Sequence, residues 1–457
     1  LIKGFMANIF GTDGIRCLVN QEPLSAETSL KIAKVVAYLL KSKKNSNSRV
    51  IICKDTRLSG YLYEPLITAG FISMGMDAIL VGPLPTPAVP LLIRNLRADI
   101  GVMITASHNT YEYNGLKFFD SKGFKLSTTL EKKVEDIVLN NHKYSKIINL
   151  TQFSGKAIRL EDASGRYSEF LKSTLDKTIK VKKLKIVLDC ANGATYNIAP
   201  SLFWELGHEV TTINNNPNGK NINKNCGALD VSELKKKVIQ SKSDIGFAFD
   251  GDGDRLIVVD EKGKTIDGDK IIALFSKYLI SKKNKISKYP VISTIMSNIG
   301  LQKYLKDILK INLKRTSVGD INVINEMKKN KSILGGEQSG HIILSGYSNT
   351  GDGILAALKI IEILSKFNLK PSKAFNIYKS YPQKKIDIPF LKLSKKNHKF
   401  IKSLSNDKSL NKNNMRSLIR ISGTEPLIRI LVEGPDYSKV EECSKNIENK
   451  VRLNLEK

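Results

Sequence analysis

The chain has 457 residues, 41% of them hydrophobic, which is enough for several packed domains at about 150 residues each. Its formal net charge of +29 lies in the range that accompanies nucleic-acid binding. The lysines, however, are spread through Lys-Asn-Ser stretches such as 43–46 and 394–397, with no interleaved aromatic residues. We interpret them as solvated surface and expect no nucleic-acid partner, although a basic nucleic-acid-binding protein stays the alternative from another functional class.

Cysteine usage and hydropathy predict the compartment. The five cysteines are scattered and form no Cys-x-x-Cys pair, which is typical of free thiols in a reducing cytosol. No apolar run approaches the about 18 residues that span a bilayer, because the longest, 78–93, contains four prolines. Residues 1–5 lack the apolar core of a signal peptide. We therefore predict a cytoplasmic protein with no membrane partner.

Predicted strands and helices alternate along the chain, and related segments recur. The apolar run 98–104 (Ala-Asp-Ile-Gly-Val-Met-Ile) matches 243–249 (Ser-Asp-Ile-Gly-Phe-Ala-Phe), and 332–336 is a weaker third copy. The segments Asp13-Gly-Ile-Arg and Asp252-Gly-Asp-Arg also match, and each precedes a helical pattern. Those two helices are predicted at 27–42 and 268–281. A consistent series of echoes indicates three related α/β units with parallel or mixed sheets.

The last part of the chain differs from these units. Residues 392–416 are rich in Lys, Asn and Ser, and strands at 417–421 and 427–432 precede a helix predicted at 437–455. The predicted fold class is therefore α/β, with three related α/β domains that hold mixed sheets and a smaller C-terminal α+β domain. We expect the four domains to surround a central cleft, because loops at the strand ends of such sheets face one crevice. The predicted domains are 1–148, 149–255, 256–370 and 371–457.

The segment Asp250-Gly-Asp-Gly-Asp-Arg255 is the strongest chemical signal. Three carboxylates alternate with glycines, which let the backbone turn all three toward one point, where a hard cation such as Mg²⁺ would offset their repulsion. An ordinary acidic turn is one alternative. An EF-hand loop is another, but Arg255 stands where that loop needs glycine. The flanking apolar runs read as strands, so we favour a magnesium loop at a strand end.

A second loop, Thr105-Ala-Ser-His-Asn109, ends the related strand. A phosphorylated serine there would be a competent phosphoryl donor beside a cation, whereas a plain Ser/Asn turn is the alternative. Lys117 follows within an apolar stretch, where partial desolvation would lower its pKa toward acid–base use. A surface lysine with a buried stem is an equally good interpretation of Lys117.

Two later loops carry polar groups suited to a ligand. Glu337-Gln-Ser-Gly-His341 offers donors and acceptors for sugar hydroxyls. Arg420-Ile-Ser-Gly-Thr-Glu-Pro426 offers a guanidinium, hydroxyls and a glycine backbone for a phosphate monoester, with Arg429 as a helper. A hydrophilic turn and a hairpin turn are the respective alternatives.

Together with Phe10–Arg16, these loops resemble the α-D-phosphohexomutase superfamily in the same order over nearly the whole chain. The Gln338 form of the sugar loop is similar to the branch that acts on glucosamine phosphates. The resemblance implies interconversion of glucosamine 6-phosphate and glucosamine 1-phosphate through glucosamine 1,6-bisphosphate, on the route to UDP-N-acetylglucosamine. A mutase of mannose or glucose phosphates is the nearest alternative.

The resemblance also implies a role for each matching residue and partners for the chain. The implied partners are small sugar phosphates, with one Mg²⁺ per subunit and a homodimer left open. The implied roles are catalytic for Ser107, Lys117, Arg16, Arg255 and His108; metal binding for Ser107, Asp250, Asp252 and Asp254; and substrate binding for Glu337, Ser339, His341, Arg420, Ser422, Gly423, Thr424 and Arg429.

Some positions depart from the superfamily pattern. Thr110 replaces the proline that usually follows Ser-His-Asn, Ile421 replaces a common proline in the phosphate loop, and Cys17 stands where glycine is frequent. Ile321-Asn322 stands where an Arg-Tyr pair is typical. A catalytically decayed scaffold is therefore a further alternative.

Overall fold

Four separate sheets, of six, five, four and three strands, carry the fold of this computed structural model. The structure describes residues 9–11, 13–41, 48–148, 154–282, 288–391, 393–405, 407, 414–422 and 426–455. Across these ranges the helices fall short of the combined length and apolarity of a membrane span.

The first unit holds a six-stranded mixed sheet of order β1-β5-β4-β2-β3-β6. Strands β2, β3, β4 and β6 run parallel, and β5 is antiparallel to both β4 and β1. Its elements are β1 (Ile15–Leu18), α1 (Ala26–Leu40), β2 (Arg49–Lys54), α2 (Gly60–Ser73), β3 (Asp77–Pro83), α3 (Ala88–Leu96), β4 (Ile100–Ile104), β5 (Tyr113–Phe119), α4 (Thr128–Leu139), α5 (Asn141–Ile148) and β6 (Ala157–Arg159).

The second unit repeats this plan with five strands in the order β11-β10-β9-β7-β8. Strand β9 is parallel to β7 and antiparallel to β10. Its elements are α6 (Ala163–Ser173), β7 (Lys185–Asp189), α7 (Ile198–Glu205), β8 (Glu209–Ile213), a 3₁₀ turn (Gly227–Leu229), α8 (Ser232–Gln240), β9 (Ile245–Phe249), β10 (Leu256–Asp260) and β11 (Thr265–Ile266).

The third unit holds four strands in the order β13-β12-β14-β15, with β14 parallel to β12 and antiparallel to β15. Its elements are α9 (Gly268–Ser281), β12 (Val291–Thr294), α10 (Ile299–Lys303), a π-helical turn (Tyr304–Ile308), β13 (Leu313–Thr316), α11 (Asp320–Asn330), β14 (Leu334–Gly336), β15 (Ile342–Leu344), α12 (Gly353–Phe367) and α13 (Pro371–Ala374).

The fourth unit is smaller and all its strands are antiparallel, in the order β16-β18-β17. It has its own hydrophobic cluster, whereas one large cluster runs continuously through residues of the first three units. Its elements are β16 (Gln383–Pro389), α14 (Lys395–Ser405), β17 (Arg416–Ile421), β18 (Leu427–Glu433) and α15 (Tyr437–Leu455). The predicted fold class, three related α/β units and a smaller α+β unit, is confirmed.

The sheets bear on the predicted domain boundaries. Strand β6 lies beyond residue 148 yet joins the first sheet, and the boundary after residue 255 falls between the paired strands β9 and β10. A division after β11 keeps the second sheet whole. The positions of the boundaries otherwise stay predictions.

Candidate active site

Three equivalent buried strands end at the loops that carry the candidate chemistry. The strands β4, β9 and β14 are buried along their whole length, and each pairs with an antiparallel strand that follows the loop. Apolar strands buried on both faces are held firmly by the core, so the residues that follow them start from fixed positions. The loops at these strand ends are Thr105–Asn109, Asp250–Arg255 and Glu337–His341.

The carboxylates after β9 converge as the sequence predicts. Asp250, Asp252 and Asp254 are buried, and one oxygen from each lies within 4.8 Å of the other two. Gly253 has a φ of +69°, and a Cβ on Gly251 would lie 2.6 Å from the Ser107 carbonyl oxygen. Both glycines are therefore needed for this turn.

The electrostatics of this cluster favour a cation. Burial, and then repulsion from Asp254 and Asp252, raise the pKa of Asp250 well above its usual value. Among the described residues, Oδ1 of Asp252 has no hydrogen-bond partner, and Oδ1 of Asp254 has a long contact of 3.4 Å with Nδ1 of His341. Buried oxygens of this kind are hard ligands suited to Mg²⁺, which accepts a few carboxylates and keeps the rest of its shell for water or phosphate. The residues therefore fit the predicted metal.

Ser107 lies directly against this cluster. Its Oγ donates a 2.8 Å hydrogen bond to Oδ2 of Asp250, although the two residues are 143 positions apart. Its backbone adopts a φ of +50°, which is uncommon for a residue with a side chain, and its N–H donates to Oγ1 of Thr105 at 2.9 Å. The fold thus brings the predicted phosphoryl carrier to the predicted metal ligands.

Lys117 is the cationic partner of the same carboxylates. Its Nζ lies 2.8 Å from Oδ2 of Asp252, 3.2 Å from Oδ2 of Asp254 and 3.1 Å from Oδ2 of Asp13. Burial lowers its pKa, but the three carboxylates raise it further, so the net pKa stays well above the ordinary lysine value. The expectation that desolvation would lower the pKa of Lys117 is wrong, because the sequence did not reveal these partners.

Two arginines, Arg16 and Arg255, border the Ser107 loop, and His108 lies within it. Arg16 donates to Oδ1 of Asn109 at 3.0 Å, and the N–H of Arg255 donates to Oδ1 of Asp250 at 3.1 Å. Burial, then the nearby Arg255 and Arg16, lower the pKa of His108 to about 3, so its imidazole is neutral at physiological pH. His108 therefore adds no positive charge to the site.

The sugar loop (Glu337–His341) is joined to the metal loop (Asp250–Arg255) by a backbone β-bridge between His341 and Arg255. Nδ1 of His341 lies 3.4 Å from Asp254, and its Nε2 accepts a 3.0 Å hydrogen bond from the N–H of Gly351. Burial lowers the pKa of His341, while Asp254 and Asp320 raise it to about 9. A ring with that pKa would be protonated at neutral pH, but the hydrogen bond from Gly351 requires an unprotonated Nε2. The contact geometry therefore favours a neutral ring with its proton on Nδ1.

The other residues of the sugar loop face different neighbours. Glu337 is mostly buried and accepts a hydrogen bond from the N–H of Gly319, and Ser339 is exposed. Gln338 contacts the fourth unit, since its Nε2 donates to Oε1 of Gln383 at 3.1 Å and its Oε1 accepts from Nζ of Lys385 at 2.9 Å. Gln338 therefore joins the sugar loop to the fourth unit.

The phosphate loop begins at the end of β17. Arg420 and Arg429 stand directly opposite one another on β17 and β18, and burial, then Arg429, lower the pKa of Arg420. Ser422 is buried, and its N–H donates to the Leu427 carbonyl at 2.7 Å. Gly423 and Thr424 lie outside the described residues. Two facing guanidiniums favour an anion between or beside them.

Several residues of the cluster were not predicted. Lys125 forms ion pairs with both Asp13 and Asp320, which joins the first unit to the N-terminus of α11 in the third. Thr86 donates to Oδ2 of Asp252 at 2.5 Å. Asp13 lies inside the Phe10–Arg16 segment and Asp320 directly precedes the Ile321-Asn322 departure, so both had a usable signal. Nothing near Lys125 or Thr86 in the sequence points to the site.

Sequence models of all four domains of the phosphoglucomutase/phosphomannomutase family match this chain. The α/β/α domains I, II and III match residues 7–145, 165–263 and 267–381, and the C-terminal domain matches residues 407–450. The matches follow one another in the family order and cover most of the chain.

Curated relatives and solved structures agree with this assignment. The phosphoglucosamine mutase of Zymomonas mobilis is 43% identical over 97% of this chain and 98% of its own, and that of Thermodesulfovibrio yellowstonii is 46% identical over 96% and 98%. A phosphoglucomutase/phosphomannomutase family protein from Burkholderia thailandensis has a TM-score of 0.83 at 21% identity, covering 97% of each chain. An Aspergillus fumigatus N-acetylphosphoglucosamine mutase, solved with GlcNAc-6P and magnesium, has a TM-score of 0.68 at 19% identity, covering 98% of this chain and 96% of its own.

Proposed function

The chain belongs to the phosphoglucosamine mutase branch of the phosphoglucomutase/phosphomannomutase family, and we propose that it interconverts glucosamine 6-phosphate and glucosamine 1-phosphate. It is thus an isomerase of sugar metabolism. The contact between Ser107 Oγ and Asp250 Oδ2, at 2.8 Å, carries the proposal, because it sets a hydroxyl that can hold a phosphoryl group against a buried carboxylate cluster.

The proposed reaction begins with a phosphoryl group on Ser107. The bond from phosphorus to Oγ breaks as a bond from phosphorus to O1 of glucosamine 6-phosphate forms, and the O1 proton ends on Ser107. The product, glucosamine 1,6-bisphosphate, turns end for end. The bond from phosphorus to O6 then breaks as a bond from phosphorus to Oγ of Ser107 forms, and the Ser107 proton passes to O6, which leaves glucosamine 1-phosphate. Ser107 hydrogen-bonded to Asp250 corresponds to the chain between these two transfers.

The residues around Ser107 support charge stabilisation, which is usually the main protein contribution to phosphoryl transfer. Asp250, Asp252 and Asp254 would hold one Mg²⁺, which when bound offsets negative charge on the phosphoryl oxygens. Lys117 and Arg255 keep their positive charge, since nearby carboxylates raise both pKa values. They therefore serve as fixed cations beside the transferring phosphoryl group and the leaving oxygen.

The two ends of the sugar phosphate would be held by different loops. Glu337 and Ser339 supply an acceptor and an exposed hydroxyl for sugar hydroxyls, and Arg420 with Arg429 supplies guanidiniums for the nonreacting phosphate. His341 has protein partners at both nitrogens, so we assign it to holding Asp254 rather than the sugar. A cytoplasmic location belongs to the same proposal.

The test is turnover of the purified chain, with Ser107→Ala beside it. We expect the wild type to convert glucosamine 6-phosphate faster than mannose 1-phosphate or glucose 1-phosphate, and intact mass to show one added phosphoryl group on Ser107 after incubation with glucosamine 1,6-bisphosphate. Ser107→Ala should lose both the mass increase and the turnover. Preference for mannose 1-phosphate, or equal turnover by the variant, would reject the proposal.

A further inference from the structure

Arg57 is among the most completely buried large side chains described, and the chemistry proposed above does not use it. Its side chain is 0% exposed, on the loop that follows β2, and its Nε pairs with Oδ2 of Asp55 at 2.8 Å. A guanidinium out of contact with water costs free energy unless its hydrogens find acceptors. The hydrogen-bond acceptors of the Arg57 guanidinium therefore indicate the role of this buried charge.

Those partners are the backbone carbonyls of the loop that carries Ser107. Nη2 of Arg57 donates to the Ser107 carbonyl at 3.0 Å and to the Asn109 carbonyl at 2.7 Å. Nη1 donates to the Tyr113 carbonyl at 3.0 Å and to the Thr110 carbonyl. One planar group thus fixes four carbonyls across a turn of seven residues, which the flat fork of an arginine can do and a lysine ammonium cannot.

A second side chain, from the second unit, donates hydrogen bonds to two of these four carbonyls. Nδ2 of Asn223 donates to the Ser107 carbonyl at 2.9 Å and to the Asn109 carbonyl at 2.9 Å. The metal loop also lies close to this contact, since a Cβ on Gly251 would lie 2.6 Å from both the Ser107 carbonyl oxygen and Nδ2 of Asn223. The orientation of the serine loop is therefore set jointly by both units.

The loop needs such restraint for two reasons. Ser107 has a φ of +50°, a conformation that costs about 1–2 kcal/mol for a residue with a side chain and persists only where the surroundings enforce it. The turn also carries Thr110, whose backbone is freer than that of proline. Without hydrogen bonds to its carbonyls, the loop would relax and move Oγ of Ser107 away from Asp250.

We propose that Arg57 and Asn223 are positioning residues that hold the Ser107 loop in its left-handed turn, so that Oγ meets the metal ligands. The inference rests on the proposed function, because it assigns the restraint to phosphoryl transfer at Ser107. Neither residue touches the reacting atoms. Their effect should therefore fall on the rate of transfer and spare the binding of sugar phosphate.

The test compares Arg57→Lys with the matched substitution Arg49→Lys, at an exposed arginine of the neighbouring strand β2. Displacement of a reacting group by a remote change can cost about 100-fold in rate, and we expect a kcat loss of that order for Arg57→Lys, with KM for glucosamine 6-phosphate within about twofold of wild type. Phosphorylation of Ser107 by glucosamine 1,6-bisphosphate, followed by intact mass, should slow by the same factor. Arg49→Lys should match wild type in every measurement.

Asn223→Ala removes the two hydrogen bonds from Asn223 to the Ser107 loop and leaves the buried Arg57 in place. It is therefore the variant to use if Arg57→Lys fails to fold. We expect about a tenfold loss in kcat and faster hydrogen exchange in the peptide 105–113 for this variant, with exchange elsewhere unchanged. Turnover and exchange equal to wild type in either folded variant would overturn the inference. An inactive wild type with slow exchange in 105–113 would instead reject the proposed function, and the exchange comparison would still decide the inference.

Discussion

Replacing Lys117 by methionine tests the charge balance of the site most directly. The substitution keeps an unbranched apolar side chain, one atom shorter than lysine, but removes the ammonium that lies within 3.2 Å of Asp13, Asp252 and Asp254. Lys117 is 1% exposed, so solvent cannot replace the lost charge. Removing one partner of a buried ion pair costs about 3–5 kcal/mol, because the carboxylate left behind stays buried without its counter-ion, and here that carboxylate is Asp252 above all.

The assay is thermal unfolding in EDTA, with and without added Mg²⁺. For a domain of this size, about 2–4 °C accompanies each kcal/mol, so the unfolding temperature of Lys117→Met should fall by about 6–20 °C in EDTA. A ligand at a hundred times its Kd stabilises by about 2.7 kcal/mol. Mg²⁺ should therefore recover much of the loss, and should raise the unfolding temperature of the variant more than that of the wild type.

The matched control is Lys143→Met, which breaks a lysine–aspartate pair on the surface. Lys143 lies 2.6 Å from Asp136, with side chains 48% and 57% exposed, and such pairs are worth about 0–1 kcal/mol. If Lys117→Met in EDTA unfolds no earlier than Lys143→Met, or if Mg²⁺ does not narrow its gap to wild type, Lys117 is not the counter-ion of the carboxylate cluster.

Two further predictions concern the pH dependence of stability and the phosphate loop. Burial lowers the pKa of His208 to about 4, and its Nδ1 accepts a hydrogen bond from the N–H of Leu184. The pKa of His208 is lower in the folded chain than the about 6.5 of an unfolded chain. The contribution of neutral His208 to the free energy of unfolding is therefore complete above pH of about 6.5, and about 3 kcal/mol of it is lost as the pH falls to about 4. His208→Asn should flatten this part of the urea-midpoint profile, while His142→Asn, at an exposed site, should leave it unchanged. Arg420→Met removes a charge-assisted contact worth about 1.5–3 kcal/mol, so initial-rate kinetics should show KM for glucosamine 6-phosphate rising about 10- to 100-fold with kcat little changed, and an unaltered KM would exclude Arg420 from phosphate binding.

Local patterns were enough to predict most of the framework. The helix predicted at 268–281 coincides with α9, whose first turn is capped by Asp267, and the helix predicted at 437–455 coincides with α15. The echo between 98–104 and 243–249 corresponds to β4 and β9, which hold equivalent places in their sheets. Apolar periodicity and capping act within one segment, so one sequence reveals them.

Contacts between distant segments were beyond the sequence. Lys125 reaches Asp320 across 195 positions, and the three carboxylates that raise the pKa of Lys117 come from two different units. The position of Gln338 in a motif indicated the glucosamine branch, but it gave no sign that its amide contacts Gln383 and Lys385 in the fourth unit. A motif specifies residue types, whereas the direction of each side chain depends on the packing of units that lie far apart in sequence.

The repeated sheet plan of the first three units explains how such different chemical groups are presented in the same way. Each unit ends a buried strand at the same place in its sheet, so a hydroxyl after β4, carboxylates after β9 and polar groups after β14 are presented alike. The carboxylate cluster belongs to the second unit, but its lysine counter-ion is supplied by β5 of the first. Docking of these two units therefore offsets part of the buried negative charge and, in the same step, brings Ser107 to Asp250. A substitution that weakened the packing between these units would lower stability and phosphoryl transfer together.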